Sequence, residues 1–327
     1  MSTPARMRAA VLRQWGDASQ LSIAEVPIPV PGPGEVRVKI HYAALNPVDY
    51  KMRNGRFRWL MNRSFPKILG VEAAGIVSEC GPNVTALRPG DAVYIYTAAR
   101  FRLGCYAEFN VVKATEAVVL PPDFDLQTGA SLSVAPVTAL QVLRDVAAVG
   151  MGTRVLINGA SGAVGICAVQ WAKRMGAHVT AVCSARNAET VRQLGADAVI
   201  DYQQRDFTRE NDRFDLVFDC VSTLSFRACR RVLVPNGQYI NLMLRPLDLL
   251  YQRWHNLFSQ QKFRTVLMKF RPDDIQTTIE AVQNGQLRIP LDTVFLPEEI
   301  QKAHLYQESG RSTGKNLLDF TPTTPPQ

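Results

Sequence analysis

Along the first 125 residues apolar and polar positions alternate in short runs, VRVKIHYAAL, AAGIVSEC, DAVYIY and YAEFNVV. A period of two puts one strand face on a core and the other in water. Turns rich in proline and glycine, PVPGPGE and LRPGD, separate the runs, and RAAVLRQW is expected to be the first strand. From residue 126 the pattern changes. TGASLSVAPVTALQVLRDVAAV has helical spacing, and the apolar TRVLING follows it as a buried strand. HVTAVCS, ETVRQLGA, AVIDY, FDLVFDCV, LSFRACRRVL and GQYINL then alternate strands with amphipathic helices. That order predicts an α/β fold with a parallel sheet covered on both faces. After Pro272 come a helix (DDIQTTIEAVQNG), a strand-like IPLDTVFL, a second helix (PEEIQKAHLYQES) and GKNLLDF. This tail is expected to return to the N-terminal domain. That domain is then discontinuous, residues 1–125 and 272–327, around a second domain at 126–271. The polar end TPTTPPQ is expected to fray.

Composition narrows the class. With 327 residues the chain is long enough for two domains, and 46% hydrophobic with 20% charged residues is ordinary for a soluble protein. No stretch approaches the roughly 18 consecutive apolar residues of a membrane span. The start, MSTPARMRAAVLRQW, lacks the apolar core of a secretory signal; an organellar transit peptide stays open. The cysteines Cys80, Cys105, Cys167, Cys183, Cys220 and Cys229 form no C-x-x-C pair. That argues against a disulfide framework and suits a reducing compartment, with a cytoplasmic enzyme as the default. The formal charge of +8 is partly local: residues 51–67 carry Lys51, Arg53, Arg56, Arg58, Arg63 and Lys67 with Phe57, Trp59 and Phe65 between them. Three readings stand for that stretch: a solvated loop, an anion-steering patch, or a nucleic-acid surface.

The chemistry enters at INGASGAVGICAVQ, residues 157–170. Ala160-x-Gly162-x-x-Gly165 fits the Rossmann dinucleotide fingerprint with alanine in the first slot. Gly162 lets the backbone approach a pyrophosphate, Gly165 lets helix and strand pack closely, and the helix N-terminus adds N–H groups and positive dipole. A preceding strand and a following helix are the context this pattern requires. The turn residues Ala160, Ser161, Gly162, Ala163, Val164 and Gly165 are therefore expected to hold cofactor. An NAD site would place Asp or Glu at the end of the next strand. Here TAVCSARN offers Ser184 and Arg186 instead, with no carboxylate before Glu189. A hydroxyl and a guanidinium suit a 2′-phosphate, so NADPH is expected. The structural alternative is that Ser184 caps the next helix and Arg186 is simply exposed.

These features resemble the medium-chain dehydrogenase/reductase superfamily over nearly the whole chain. The resemblance includes GEVRVKIHYAALNPVDYKMRNG, PKILGVEAAGIV, VTALRPGDAVY, APVTALQVL, LGADAVIDY and TGKNLLDF. It implies a GroES-like catalytic domain around a doubly wound Rossmann sheet. Zinc alcohol dehydrogenases of that superfamily carry Cys where this chain has Asn46 and His where it has Val71, and Asn and Val do not bind zinc as those ligands do. No metal is therefore expected, and the likeness is to the zinc-free quinone oxidoreductase-like branch, which includes enone and enoyl-thioester reductases. The resemblance places the N-x-x-D pair Asn46 and Asp49 near the nicotinamide, with Thr138. It places Tyr202 at the 2′-phosphate and Val221 on the ribose side.

A conjugated carbonyl or quinone accepts hydride without a metal, because charge delocalises onto oxygen. The protein then has to supply near-attack geometry and donors. Asn46 is expected to supply an N–H donor or to fix the ribose; outside the resemblance it is a turn residue before Pro47. Asp49 is expected to orient its neighbours. Tyr50 is a candidate proton donor set against a plain structural tyrosine, with water as the other candidate source of the proton. MLRPLDLLYQRWHNLFSQQKFR, residues 243–264, either walls an apolar pocket or forms a subunit contact. His41, His178, His255 and His304 are read as non-catalytic. The expected protein is an NADPH-dependent reductase of quinones or α,β-unsaturated carbonyls, a homodimer by resemblance. The alternative is an NADPH-binding protein of low turnover with a structural or RNA-binding role.

Overall fold

A computed structural model of the chain describes residues 5–59, 61, 64–97, 104–243 and 246–321. The polar end beyond Thr321, and Arg63 of the basic stretch, lie outside the described residues. The chain forms two compact units, Met1–Ser133 with Pro290–Gln327, and Val134–Ile289.

In chain order the first unit supplies strands β1 (Arg6–Leu12), β2 (Leu21–Pro27), β3 (Glu35–Leu45), β4 (Lys67–Ile68), β5 (Glu72–Cys80), β6 (Ala92–Tyr96), β7 (Phe109–Lys113) and β8 (Ala117–Val119). Its helices are α1 (Pro47–Arg53) and α2 (Leu126–Gly129). The second unit opens with α3 (Pro136–Gln141), followed by β9 (Arg154–Asn158), α4 (Ala163–Arg174), β10 (His178–Cys183), α5 (Ala188–Gln193) and β11 (Ala198–Asp201). It continues with β12 (Phe214–Asp219), α6 (Phe226–Cys229), β13 (Leu233–Asn241), α7 (Pro246–Phe258), β14 (Lys262–Thr265) and α8 (Pro272–Gln283). The chain then re-enters the first unit as β15 (Leu291–Phe295), α9 (Ile300–Glu308) and β16 (Lys315–Asp319).

The first unit is β-rich. Its larger sheet runs β15-β16-β3-β5-β6-β8, with β7 also on β3, and a smaller sheet runs β2-β1-β4. Alternation along β3 places Val36, Val38 and Ile40 in the core with no exposure. The returning strand β16 pairs antiparallel with β3, setting Leu317 opposite Ala44.

The second unit is the doubly wound sheet that the alternating pattern predicts. Its order is β11-β10-β9-β12-β13-β14, and every neighbouring pair is parallel. The chain order reverses between β9 and β12, and that switch point at the strands' carboxyl ends is where such sheets bind ligands. The strands are nearly continuous apolar runs. Leu156, Val182, Val217 and Tyr239 lie in one core with Phe226 and Phe263, as burial on both faces demands.

Two helical stretches are shorter than their sequences suggest. The segment expected as one helix breaks into α2 and α3, because Pro136 lacks an N–H and starts a new helix at its first position. LSFRACRRVL gives only α6 and a tight turn, Arg230–Val232. The sequence-based borders at 125/126 and 271/272 fall short of the points where the compact units meet. Helix α8 belongs with the second unit, since Gln141 Nε2 donates to Asp274 Oδ2 at 2.7 Å and Arg144 pairs with Asp274 at 2.7 Å.

Candidate active site

Four neighbouring strands of the first unit bring polar side chains to one buried place. Asn46 follows β3, Glu72 opens β5, Tyr94 lies on β6 and Lys315 opens β16. Glu72 has no exposure and Lys315 only 1%, so each charge needs a partner. Lys315 Nζ donates to Glu72 Oε1 at 2.7 Å and to Asn46 Oδ1 at 2.8 Å. Asn46 Nδ2 donates to Glu72 Oε1 at 3.1 Å and to the Ala44 carbonyl at 3.3 Å. The other carboxylate oxygen accepts the Tyr94 hydroxyl at 3.1 Å and the Ser133 N–H and hydroxyl, each at 3.3 Å. Tyr94 and Ser133 also hydrogen-bond one another.

Asp49 extends the cluster. It is the third residue of α1, and its Oδ2 accepts the Asn46 backbone N–H at 2.8 Å and the Tyr106 hydroxyl at 2.8 Å. Its Oδ1 is buried and makes no hydrogen bond. Burial is the main cause that pushes this carboxyl up to about 7, against the lowering pull of Tyr106, the Asn46 N–H and Lys315. Tyr106 stacks edge-on to His304, whose imidazole burial and Arg53 hold down to about 3. Tyr50 makes none of these bonds; half-buried, its phenol is raised by desolvation and then by Glu308. Cys105 is no ready nucleophile, since burial pushes its thiol up to about 12.

A separate apolar cavity of about 460 Å³ in this unit is lined by Met7, Val11, Met52, Leu69 and Val71, with Lys67 on its wall. It shares no side chain with the polar cluster. The basic stretch does not form one continuous surface. Arg53 is buried, bonded to the Gly16 carbonyl and to Glu308. Lys67 is buried over the rings of Trp15 and Phe65, at 5.4 and 5.0 Å.

The second unit builds its site from backbone. Gly159 turns the chain at φ +76°, and Gly162 is the N-cap of α4. A Cβ on Gly165 would meet the Gly159 carbonyl oxygen at 2.2 Å and Ala160 Cα at 2.6 Å, so helix and strand approach as only glycine allows. A Cβ on Gly162 would find nothing nearer than 3.5 Å. Open space thus lies beside the first turn of α4. The first intrahelical bond comes from Ile166 N to Gly162 O, which leaves the N–H groups of Ala163, Val164 and Gly165 as donors.

Side chains then tie the turn to its neighbours. Asn187 Nδ2 donates to Ser161 Oγ at 2.9 Å, joining it to the segment after β10. Asp219, fully buried at the end of β12, accepts Asn158 Nδ2 (2.8 Å), the Ser222 and Leu224 N–H groups (2.9 Å each) and the Tyr239 hydroxyl (3.0 Å). It thereby fixes the loop carrying Val221, whose methyls lie 3.1–3.2 Å from where a Gly159 Cβ would stand. Ser184, Arg186 and Tyr202 gather at the ends of β10 and β11, where Tyr202 N donates to the Cys183 carbonyl at 3.3 Å. Ser184 precedes a short turn, but its hydroxyl makes no cap bond. Arg186 and Tyr202 are exposed. Thr138 is buried on α3, its hydroxyl donating to the Val134 carbonyl at 2.5 Å.

Glu72, Tyr94, Tyr106 and Lys315 had escaped the sequence reading. One signal was present: Glu72 is a lone carboxylate among the apolar residues of GVEAAG, and such a residue in a buried strand needs a cation.

Among the described residues no group of three or more His, Cys, Asp and Glu side chains is placed to hold a metal, and no helix is long and apolar enough to cross a membrane. The first unit's Asn46 and Glu72 oxygens already hold the Lys315 ammonium and so do not fit a zinc ion. The second unit's glycine turn does fit a dinucleotide.

Comparison with known proteins identifies the family. Residues 32–122 match the alcohol dehydrogenase GroES-like domain, and residues 194–318 match the zinc-binding dehydrogenase family. The chloroplastic quinone-oxidoreductase QR1 of Triphysaria versicolor is 32% identical, covering 93% of this chain and 95% of that protein. The mitochondrial NAD(P)H oxidoreductase RTN4IP1 of Homo sapiens is 36% identical, covering 87% and 81%. Among solved structures, the quinone oxidoreductase from Coxiella burnetii superposes with a TM-score of 0.90 at 27% identity, covering 97% of this chain and 100% of that one. The chain belongs to the medium-chain dehydrogenase/reductase superfamily and is one of its quinone oxidoreductase-like, nicotinamide-dependent oxidoreductases.

Proposed function

We propose that the protein reduces quinones or α,β-unsaturated carbonyl compounds with NADPH and without zinc. The observation that carries this is the locked trio Asn46–Lys315–Glu72: Asn46, at the position where the superfamily's zinc enzymes carry Cys, has its side-chain oxygen taken by the Lys315 ammonium. An acceptor that spreads developing charge over its own conjugated system needs no metal at that place. When bound, the nicotinamide supplies the hydride; the chain supplies placement.

In this reading the open first turn of α4 takes the pyrophosphate, while Ser184, Arg186 and Tyr202 take the 2′-phosphate. The uncommitted Ser184 hydroxyl favours that role over capping. Both Asn46 N–H bonds already end on Ala44 and Glu72, whereas its oxygen keeps a second lone pair beside the Lys315 bond. That favours Asn46 fixing a ribose hydroxyl over donating to the acceptor's oxygen. Asp49 orients the Asn46 backbone and Tyr106, Thr138 and Val221 line the nicotinamide and ribose, and the proton comes from water. A homodimer and a reducing compartment, cytoplasm by default, complete the reading.

The test is NADPH oxidation against a panel of quinones, enones and simple alcohols. With cofactor deuterated at C4, the label is expected at the β-carbon of an enone whose carbonyl survives. Efficient oxidation of alcohols with no quinone or enone reduced defeats the proposal. Arg186→Ala is expected to cost about 1.5–3 kcal/mol in NADPH binding and to leave NADH binding unchanged. Equal affinity of the unaltered protein for both cofactors defeats the 2′-phosphate assignment.

A further inference from the structure

Helix α7 is built inside out. Among its described side chains, from Asp248 onward, the buried ones are polar, Gln252 and His255. Gln252 donates through Nε2 to Thr265 Oγ1 at 2.6 Å and accepts the Thr265 N–H at 3.1 Å. Asn256 donates through Nδ2 to the Phe263 carbonyl at 2.8 Å and accepts the Phe263 N–H at 2.9 Å. The opposite side of β14 pairs with β13, so these two amides occupy the outer edge and end the sheet there. Four apolar residues face away, while Tyr251 packs on Phe226 and Phe263. Leu250, Trp254, Leu257 and Phe258, spaced i, i+4, i+7 and i+8, are 63–77% exposed.

Beyond Asp248 in the first turn of α7, the charges along the following stretch have one sign. From residue 249 to residue 272 there is no Asp or Glu, while Arg253, Lys262, Arg264, Lys269 and Arg271 are present. Arg271 is taken up by Asp145 at 2.8 Å. Arg253 and Arg264 are exposed, and Lys262 Nζ sits on the Asn256 and Ser259 carbonyls at the end of α7.

We propose that α7 is a peripheral docking helix that lays Leu250, Trp254, Leu257 and Phe258 onto an anionic lipid surface. Apolar side chains including a tryptophan, bordered by arginine and lysine, match the boundary between acyl chains and acidic headgroups. A second copy of the chain fits less well. In a two-fold contact the patch meets itself, so its uncompensated cations would face their own kind. This inference is independent of the reaction proposed above.

The experiment is sedimentation of the full chain with phosphatidylcholine vesicles, with and without 30% phosphatidylserine. Binding is expected only with the anionic vesicles, falling at least tenfold between 0.1 and 0.5 M salt. Leu257→Glu/Phe258→Ser is expected to lower binding at least tenfold with unchanged circular dichroism and NADPH turnover. Should that variant misfold, Arg253→Glu/Arg264→Glu is expected to lower binding as strongly. Equal binding to both vesicles, or binding to neither, overturns the proposal. So does a dimer, seen by light scattering, that dissociates in either variant, because a second copy then owns the face.

Discussion

The two units build their candidate sites by opposite means. The first buries seven side chains in a closed polar cluster, where each atom's position depends on strands far apart in sequence. The second presents backbone, a glycine turn and the first turn of a helix, with side chains serving mainly to hold that backbone still. A cluster of buried charges is sensitive to losing any one member, since the partner is left uncompensated. A backbone cradle is sensitive to added bulk. The comparison separates two kinds of damage.

The largest effect is expected from Lys315→Met. It strands the Glu72 carboxylate among buried groups and is expected to cost about 3–5 kcal/mol in denaturant unfolding. Adding Glu72→Gln is expected to restore part of that loss. Losses that simply add would show that the pair is not coupled and that the cluster is not the unit described here.

Acidity gives the next test. Asp49, at about 7 when folded, binds a proton that the unfolded chain has released above about 4. Its contribution to stability therefore declines as pH rises from about 4 to 7, by an amount on the order of a few kcal/mol. His304, held down to about 3, acts in the other direction, because the unfolded chain takes up a proton below about 6.5 and the folded one does not. Relative to the unaltered protein, Asp49→Asn is expected to gain stability as pH rises through that window, read as midpoints of urea unfolding. A pH-independent difference would mean that Asp49 titrates like an exposed carboxylate.

The smallest effects sharpen the backbone side. Gly165→Ala forces a methyl against the Gly159 carbonyl and is expected to cost about 1–3 kcal/mol of stability. Gly162→Ala meets open space, so its cost is expected to stay below about 1 kcal/mol, from poorer capping alone. Its effect is instead expected in weaker NADPH binding, measured by fluorescence titration. If Gly162→Ala destabilises as much as Gly165→Ala and binds cofactor normally, the cradle does not lie there.

This contrast also explains what could be read beforehand. The glycine turn and the alternation of strands and helices follow from short spacings, and these were legible. Asn46 and Asp49 lie three residues apart in one capped turn, and it is the family resemblance that marks them as a pair. Lys315 and Glu72 are 243 positions apart, so no local pattern joins them; only the sheet order brings them together. The apolar residues of α7 were plain in the sequence, but periodicity gives a helix its stripe and not what the stripe faces. There the edge of β14 claimed the polar side, through Gln252 and Asn256.

Asp219 has a consequence for how the protein tolerates change in length. Its two oxygens take four donors, from β9, from β13 and from two points in the loop after β12. The spacing between Asp219, Ser222 and Leu224 is thereby set like the teeth of a key. A residue inserted or deleted between 220 and 224 moves at least one N–H off a buried carboxylate and shifts Val221 from its place over Gly159. Beyond Tyr202, residues 203–206 are exposed and bond to no buried carboxylate of this kind. Natural variation in loop length is therefore expected to collect at 203–206 and to be excluded from 220–224.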